Sequence, residues 1–209
     1  MARYELNSKY ILKTDNANYA VDLTDVKAYL KVDTTSDDTI LQGLIKAATL
    51  LAERYTRREF LTKTFTMYLD FFPYSKQTGN LVETNFNDET ILVKRSKLQT
   101  INSIKYYQNE VLETMTTSLY SFTKDNDYSR IYLKSGTWAD IDNRKQAVEI
   151  DFDAGYGATN TSIPQSLKDA LKIIIAYMYS NRGDCILDNS LLMLSGAMPI
   201  LDMYQIIEI

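Results

Sequence analysis

The sequence contains no histidine, a single cysteine (Cys185), three prolines and seven glycines in 209 residues. Each shortage excludes chemistry. Without histidine there is no Ser-His-Asp or Cys-His triad, no zincin helix and no His-ligated zinc. One cysteine closes no intrachain disulfide and makes no CxxC pair. The longest apolar run, Ile173 to Tyr179, is far short of a membrane span, and the first nine residues hold no apolar stretch of signal-peptide length. The expectation is a protein made and kept in the cytosol, with no membrane partner. Charge of one sign is also in short supply: 27 Asp+Glu stand against 23 Lys+Arg, a net charge of -4. A protein whose main work is to neutralise phosphates needs a basic excess, so DNA is not expected as a tightly held ligand.

What is present is ordinary globular material, 45% hydrophobic and 24% charged, with 16 tyrosines. A chain of this length buries roughly 70% of the surface its unfolded form exposes, enough for a core without staples. Thr24 and Asp25 open a short helical pattern ending near Val32-Asp33. Asp37-Asp38 then open a strong one, in which Ile40, Leu41, Leu44, Ile45, Ala48, Leu51, Ala52 and Tyr55 predict a helix from about Asp37 to Arg57. Arg54, Arg57 and Arg58 sit at its negative end. From Thr62 the period falls to two, with Phe65, Met67 and Leu69 on one face. Further short strands are predicted at Thr90–Val93, Ile101–Tyr107, Val111–Met115, Tyr120–Thr123, Arg130–Leu133 and Ala147–Phe152. Their polar, hairpin-length connections indicate a mostly antiparallel sheet, with a polar excursion from Tyr74 to Glu89.

Helical period returns after Pro164 with Leu167, Ala170, Leu171, Ile174, Tyr177 and Met178. Ile173, Ile175 and Tyr179 make this closing helix apolar nearly all round. The fold class expected is therefore α+β: a small helical bundle with a β-rich insertion between its second and closing helices. The divisions are 1–61 for an N-terminal arm and helices, 62–157 for the insertion, 158–197 for the closing helix and following segment, and 198–209 for a tail. That tail lies beyond Gly196 and Pro199 and carries Ile200, Leu201, Met203, Tyr204, Ile206, Ile207 and Ile209. So apolar a segment needs a surface to cover it, and these seven residues are the expected partner-binding set of a docking arm outside the fold.

Candidate motifs mostly reduce to structure. Gly155-Tyr156-Gly157 follows a strand and precedes a helix, but Asn160 stands where a dinucleotide turn has its third glycine, so a tight turn is the better reading. Asp125-Asn126-Asp127 starts like a calcium loop yet has Arg130 where that loop needs glycine, and reads as a hairpin turn. Glu149, Asp151 and Asp153 alternate with Val148, Ile150 and Phe152, which places the acids on a solvent face rather than around a metal. Arg182-Gly183-Asp184 and Asn160-Thr161-Ser162 spell extracellular motifs without an extracellular context. Cys185, beside Asp184 after a helix end, is no activated nucleophile. No catalytic set and no cofactor or metal site emerges.

The order of these segments resembles the head-tail connector, or adaptor, family of tailed bacteriophages. The resemblance runs through Leu23-Thr24-Asp25-Val26-Lys27-Ala28-Tyr29-Leu30, Leu44-Ile45-Lys46-Ala47-Ala48 and Ala52-Glu53-Arg54-Tyr55-Thr56-Arg57-Arg58. It continues at Leu69-Asp70-Phe71-Phe72-Pro73, Ser103-Ile104-Lys105-Tyr106-Tyr107, Val148 to Gly157, Ile163-Pro164-Gln165-Ser166-Leu167 and Tyr179-Ser180-Asn181-Arg182. It implies a non-enzymatic structural protein of the virion, at the head-tail interface, assembled in the host cytoplasm. Its implied partners are the portal protein, a neck or tail-completion protein and further copies of itself in a cyclic ring, expected to be dodecameric. DNA is only a polymer passing through the lumen. Two rival readings remain open at this level: a Tyr-rich module binding a glycan or single-stranded nucleic acid, and a carboxylate-dependent enzyme with converging acids.

Overall fold

The computed structural model of the chain describes residues 8–73, 90–125, 127–182 and 189–207. The Tyr74–Glu89 excursion, Asn126, Gly183, Cys185 and Ile209 lie outside the described residues. The fold is α+β, and the described chain forms two units. One comprises 8–15 and 63–154, the other 16–62 and 155–207.

The helical unit contains α1 (Leu23–Leu30), α2 (Asp38–Thr56), α3 (Gln165–Ser180), α4 (Asn189–Ser195) and α5 (Met198–Asp202). The predicted period is realised: α3 buries Leu167, Ala170, Leu171, Ile174, Ile175 and Met178, and α2 buries Leu41, Ile45, Ala48, Leu51 and Ala52. These side chains form one core with Val26 of α1, Leu191 and Leu192 of α4, and Leu201 of α5. Helix α3 packs against all four other helices, as its nearly all-round apolar surface requires. Each fully buried Leu or Ile contributes about 1.5–3 kcal/mol relative to exposure.

Polar contacts fix the helix ends. Lys27 Nζ on α1 reaches the Asp38 carboxylate at 2.7 Å, tying α1 to the first turn of α2. Asp37, just before α2, accepts hydrogen bonds from the Tyr179 hydroxyl and the Arg182 guanidinium at the far end of α3. The positive end of one helix dipole and the negative end of the other thus share a clamp of matching charges. The Tyr179 hydroxyl first, then Arg182, hold the Asp37 carboxyl below the usual carboxylate range.

The described part of the second unit is built from eight strands. Strands β1 (Lys9–Thr14), β2 (Lys63–Leu69), β4 (Leu98–Gln108), β5 (Val111–Thr114) and β8 (Val148–Ala154) form a five-stranded antiparallel sheet in the order β1-β2-β8-β4-β5. Strands β3 (Ile91–Val93), β6 (Tyr120–Phe122) and β7 (Ser129–Leu133) form a second sheet in the order β3-β7-β6. Every predicted strand is present, with ends moved by a few residues. β1 is an addition, in a segment whose pattern alone reads as an N-terminal arm. Register pairs Phe65 with Phe152 and Met67 with Ile150, so both rows point to one core together with Ile101, Ile104 and Ile131. Stacking of Phe65 on Phe152 at 5.8 Å and of Phe72 on Trp138 at 4.7 Å completes it.

One expectation is overturned. The segment after Met198 is not a free arm, because Leu201 is fully buried in the helical core and Ile206 is only 3% exposed. A surface for this apolar segment is available within the chain itself.

Two outcomes follow. Replacing Ile174 with Asp puts an unpaired charge at a fully buried position, and the loss of several kcal/mol is expected to unfold the helical unit, read by circular dichroism. Asp37, with its depressed folded-state pKa, contributes stability that is present above the unfolded carboxylate value of about 3.9 and is lost as pH falls through the folded value. Asp37→Asn is therefore expected to lose less stability than the parent between neutral pH and pH of about 3 in denaturant titrations. Identical losses would show that the clamp carries none.

Candidate assembly surfaces

The sequence points to two candidate regions, the acids of β8 and the C-terminal segment. Register places Glu149, Asp151 and Asp153 on the face of the five-stranded sheet opposite its core, beside Tyr68, Thr66 and Thr64 of β2. The last two acids are occupied by neighbours. Asp151 accepts from Lys13 Nζ at 2.7 Å and from Thr66 Oγ1 at 2.6 Å. Asp153 accepts from Thr64 Oγ1 at 2.7 Å and Asn102 Nδ2 at 3.0 Å. Burial alone would raise the Asp151 carboxyl, but hydrogen bonds from Lys13 and Thr66 and the nearby Lys105 charge hold it below its ordinary range. These are cross-strand ties, the usual work of polar residues on a sheet face. Among the described residues no group of three or more acids, cysteines or histidines could hold a metal ion.

The glycine pair is a turn under steric demand. A Cβ on Gly155, which has φ +143°, would lie 2.5 Å from the Leu61 carbonyl oxygen, and one on Gly157 would lie 2.2 Å from Ser162 Oγ. Glycine at both positions lets this segment run beside Leu61, with Thr62 N–H donating to the Gly157 carbonyl at 2.9 Å. Nothing in that contact addresses a phosphate. A concavity of about 550 Å³ at the C-terminal end of α2 is lined by Leu51, Arg54, Tyr55, Arg57, Asn189, Ser190 and Gln205. Its lining holds two hydroxyls, those of Tyr55 and Ser190, and no carboxylate, lysine or histidine to act as their base. Of the described tyrosines only Tyr29 and Tyr132 are exposed, and they belong to different units. The row of exposed rings needed to stack bases or sugars is missing among the described residues.

The C-terminal segment is divided in its roles. Tyr204 is half-buried: its hydroxyl pairs with Ser166 of α3, and its carbonyl accepts from Arg58 Nε. Ile206 N–H donates to the Thr56 carbonyl at 3.0 Å, and Tyr55 hydrogen-bonds Asp202. Arg58 is itself buried, beyond the last turn of α2, so it anchors this segment as well as facing the helix dipole. Leu201 and Ile206 belong to the fold, and Ile200 packs partly against the same core. Met203 and Ile207 remain exposed, at 71% and 74%, as do Met193 and Leu194 of α4. The seven residues expected to bind a partner thus comprise two core residues, two half-buried ones, two exposed ones and Ile209, which lies outside the described residues.

Sequence reasoning missed a third surface. Both outer strands of the large sheet, β1 and β5, are solvent-facing, and each displays two apolar side chains: Ile11 and Leu12 on β1, Val111 and Leu112 on β5. The signal for β5 was its pairing of apolar residues in a strand with no buried face. Among the described residues no helix is long and apolar enough to cross a membrane.

Residues 20–184 match the model of the Head completion protein family. The chain belongs to that family, since the match spans most of its length. Solved structures similar to it come from gene transfer agent (GTA) particles. The neck of an empty GTA particle, computed with C6 symmetry, contains a chain 16% identical with a TM-score of 0.73, covering 96% of this chain and 97% of that one. The virion of the native GTA particle gives 19% identity and a TM-score of 0.73, covering 96% of both chains. The neck of the native particle, computed with C12 symmetry, gives 17% and 0.64, covering 95% and 97%. These likenesses establish a shared fold over nearly the whole chain. No curated protein sequence matches it.

The division of the C-terminal segment is testable by substitution. Leu201→Ala is expected to cost about 2–5 kcal/mol in thermal or denaturant unfolding, as for other fully buried leucines. Met203→Ser and Ile207→Ser are each expected within about 0.5 kcal/mol of the parent, as exposed positions.

Proposed function

We propose that this member of the head completion protein family is a structural subunit of the neck of a tailed phage or phage-like particle. It stands in a ring beneath the portal, joins it to the next neck or tail component, and leaves a channel for DNA. The observation that carries the reading is the family match over residues 20–184. The fold shared with chains of GTA necks and virion over 95–96% of this chain supports it. Asp151 and Asp153 serve as cross-strand ties and the Gly155–Gly157 turn is steric, so neither feature asks for a reaction.

A ring of twelve is the count we favour, because the neck structures were computed with C6 and with C12 symmetry and a twelvefold ring satisfies both operators. The net charge of -4 suits a channel through which DNA slides without adhering. The portal is the partner that the connector resemblance supplies. Its contact is assigned to the exposed members of the C-terminal segment, Met203 and Ile207, with Leu201 and Ile206 holding that segment in place from within.

In particles assembled with an epitope-tagged copy, gold-labelled antibody should mark one vertex, where head meets tail. Assembly without the chain should give heads that lack tails. Label distributed over the capsid, or tailed particles formed without the chain, would contradict the reading.

A further inference from the structure

Strands β1 and β5 are the two edges of one five-stranded sheet, and their charges are opposite. The β1 edge reads Lys9-Tyr10-Ile11-Leu12-Lys13, two bases around an apolar pair, with Lys13 also ion-paired to Asp151 of its own sheet. The β5 edge, with the turn residue before it, reads Glu110-Val111-Leu112-Glu113, two acids around an apolar pair. All of these side chains except that of Tyr10 are exposed. Among the described residues neither strand has a second partner strand in the sheet.

An unpaired edge with apolar residues is a template for another strand, and proteins commonly blunt such edges with lysine or a bulge. β1 carries both devices, its bulge falling between Leu12 and Thr14. Lysine blunts an edge only against like charge or neutral strands. Two β1 edges repel each other, as do two β5 edges, whereas β1 and β5 attract. Repulsion between like edges disfavours an isologous dimer. Attraction between unlike edges favours a head-to-tail contact, the type whose repetition closes a ring.

Resting on the ring reading above, we propose that the β5 edge of one copy of this chain meets the β1 edge of the next, with a second copy as the occupant. Topology also sets the direction. Four antiparallel pairings separate β1 from β5, so the two strands run the same way within one copy. A neighbour related by a modest rotation therefore presents β1 parallel to β5. Ile11 pairs with Thr66 beside Asp151, and Leu112 pairs with Tyr107 two residues from Lys105, so both lie on the polar face of the sheet. Leu12 and Val111 lie on the other face, opposite Phe65 and Gln108.

The test uses the full chain with Cys185→Ser. Two double variants, Ile11→Cys with Leu112→Cys and Leu12→Cys with Val111→Cys, are oxidised with copper phenanthroline and run on non-reducing gels. A ladder of covalent multimers from at least one double variant, absent from the four single variants, is the expected result. Separately, Glu110→Lys with Glu113→Lys should raise the concentration needed for assembly by roughly tenfold or more, with an unchanged melting temperature, and adding Lys9→Glu should recover part of the loss. A multimeric parent that gives no ladder and ignores the charge reversal would overturn this contact while leaving the ring to form through other surfaces. A parent with the mass of one copy at every concentration would also overturn the edge contact, and the ring reading would then be judged by the particle-labelling experiment.

Discussion

A helix that is apolar around most of its circumference has to be covered on every side, and α3 sets this demand for the helical unit. Helix α2 alone cannot meet it. Val26 of α1, Leu191 and Leu192 of α4, Leu201 of α5 and the segment reaching Ile206 close the remaining faces. That requirement explains why the last residues fold back instead of standing free. Arg58, buried just past α2, holds the returning backbone at Tyr204, and the Asp37 clamp holds the opposite end of the α2–α3 pair. Met203 and Ile207 are displayed from a segment whose neighbours Leu201 and Ile206 are locked in the core. A rigid platform that presents contact residues loses less conformational freedom on binding than a free arm.

Much of this was legible in the sequence, because long elements with one buried face write their period plainly. Helices α2 and α3 and the strands from β2 to β8 fall where spacing predicts them. β1 did not show, since a strand exposed along nearly its whole length has no alternation to read, and only its register with β2 defines it. The C-terminal segment was misjudged for a different reason. Its composition says that Leu201 and Ile206 need cover, and composition cannot distinguish cover within the chain from cover by a partner. The role of Arg58 was hidden too: an arginine at the end of a helix has a sufficient local explanation in the dipole, and its contact with Tyr204 spans 146 positions.

Polar residues that suggest chemistry in the sequence turn out to tie strands together, as Asp151 and Asp153 do, or to give a backbone room, as Gly155 and Gly157 do. The described exterior is asymmetric: lysines on one sheet edge, glutamates at the other, and exposed apolar residues near the C-terminal end. In the proposed ring one copy contributes two unlike edges, and a closed series of copies would leave neither unsatisfied.

The central claim is that copies of this chain close into a ring at a portal. Electron microscopy of the purified chain mixed with portal rings tests it directly. End-on class averages should show an added annulus around an open centre, with rotational symmetry matching the portal. Portal rings with no added annulus, beside single copies of the chain, would contradict it.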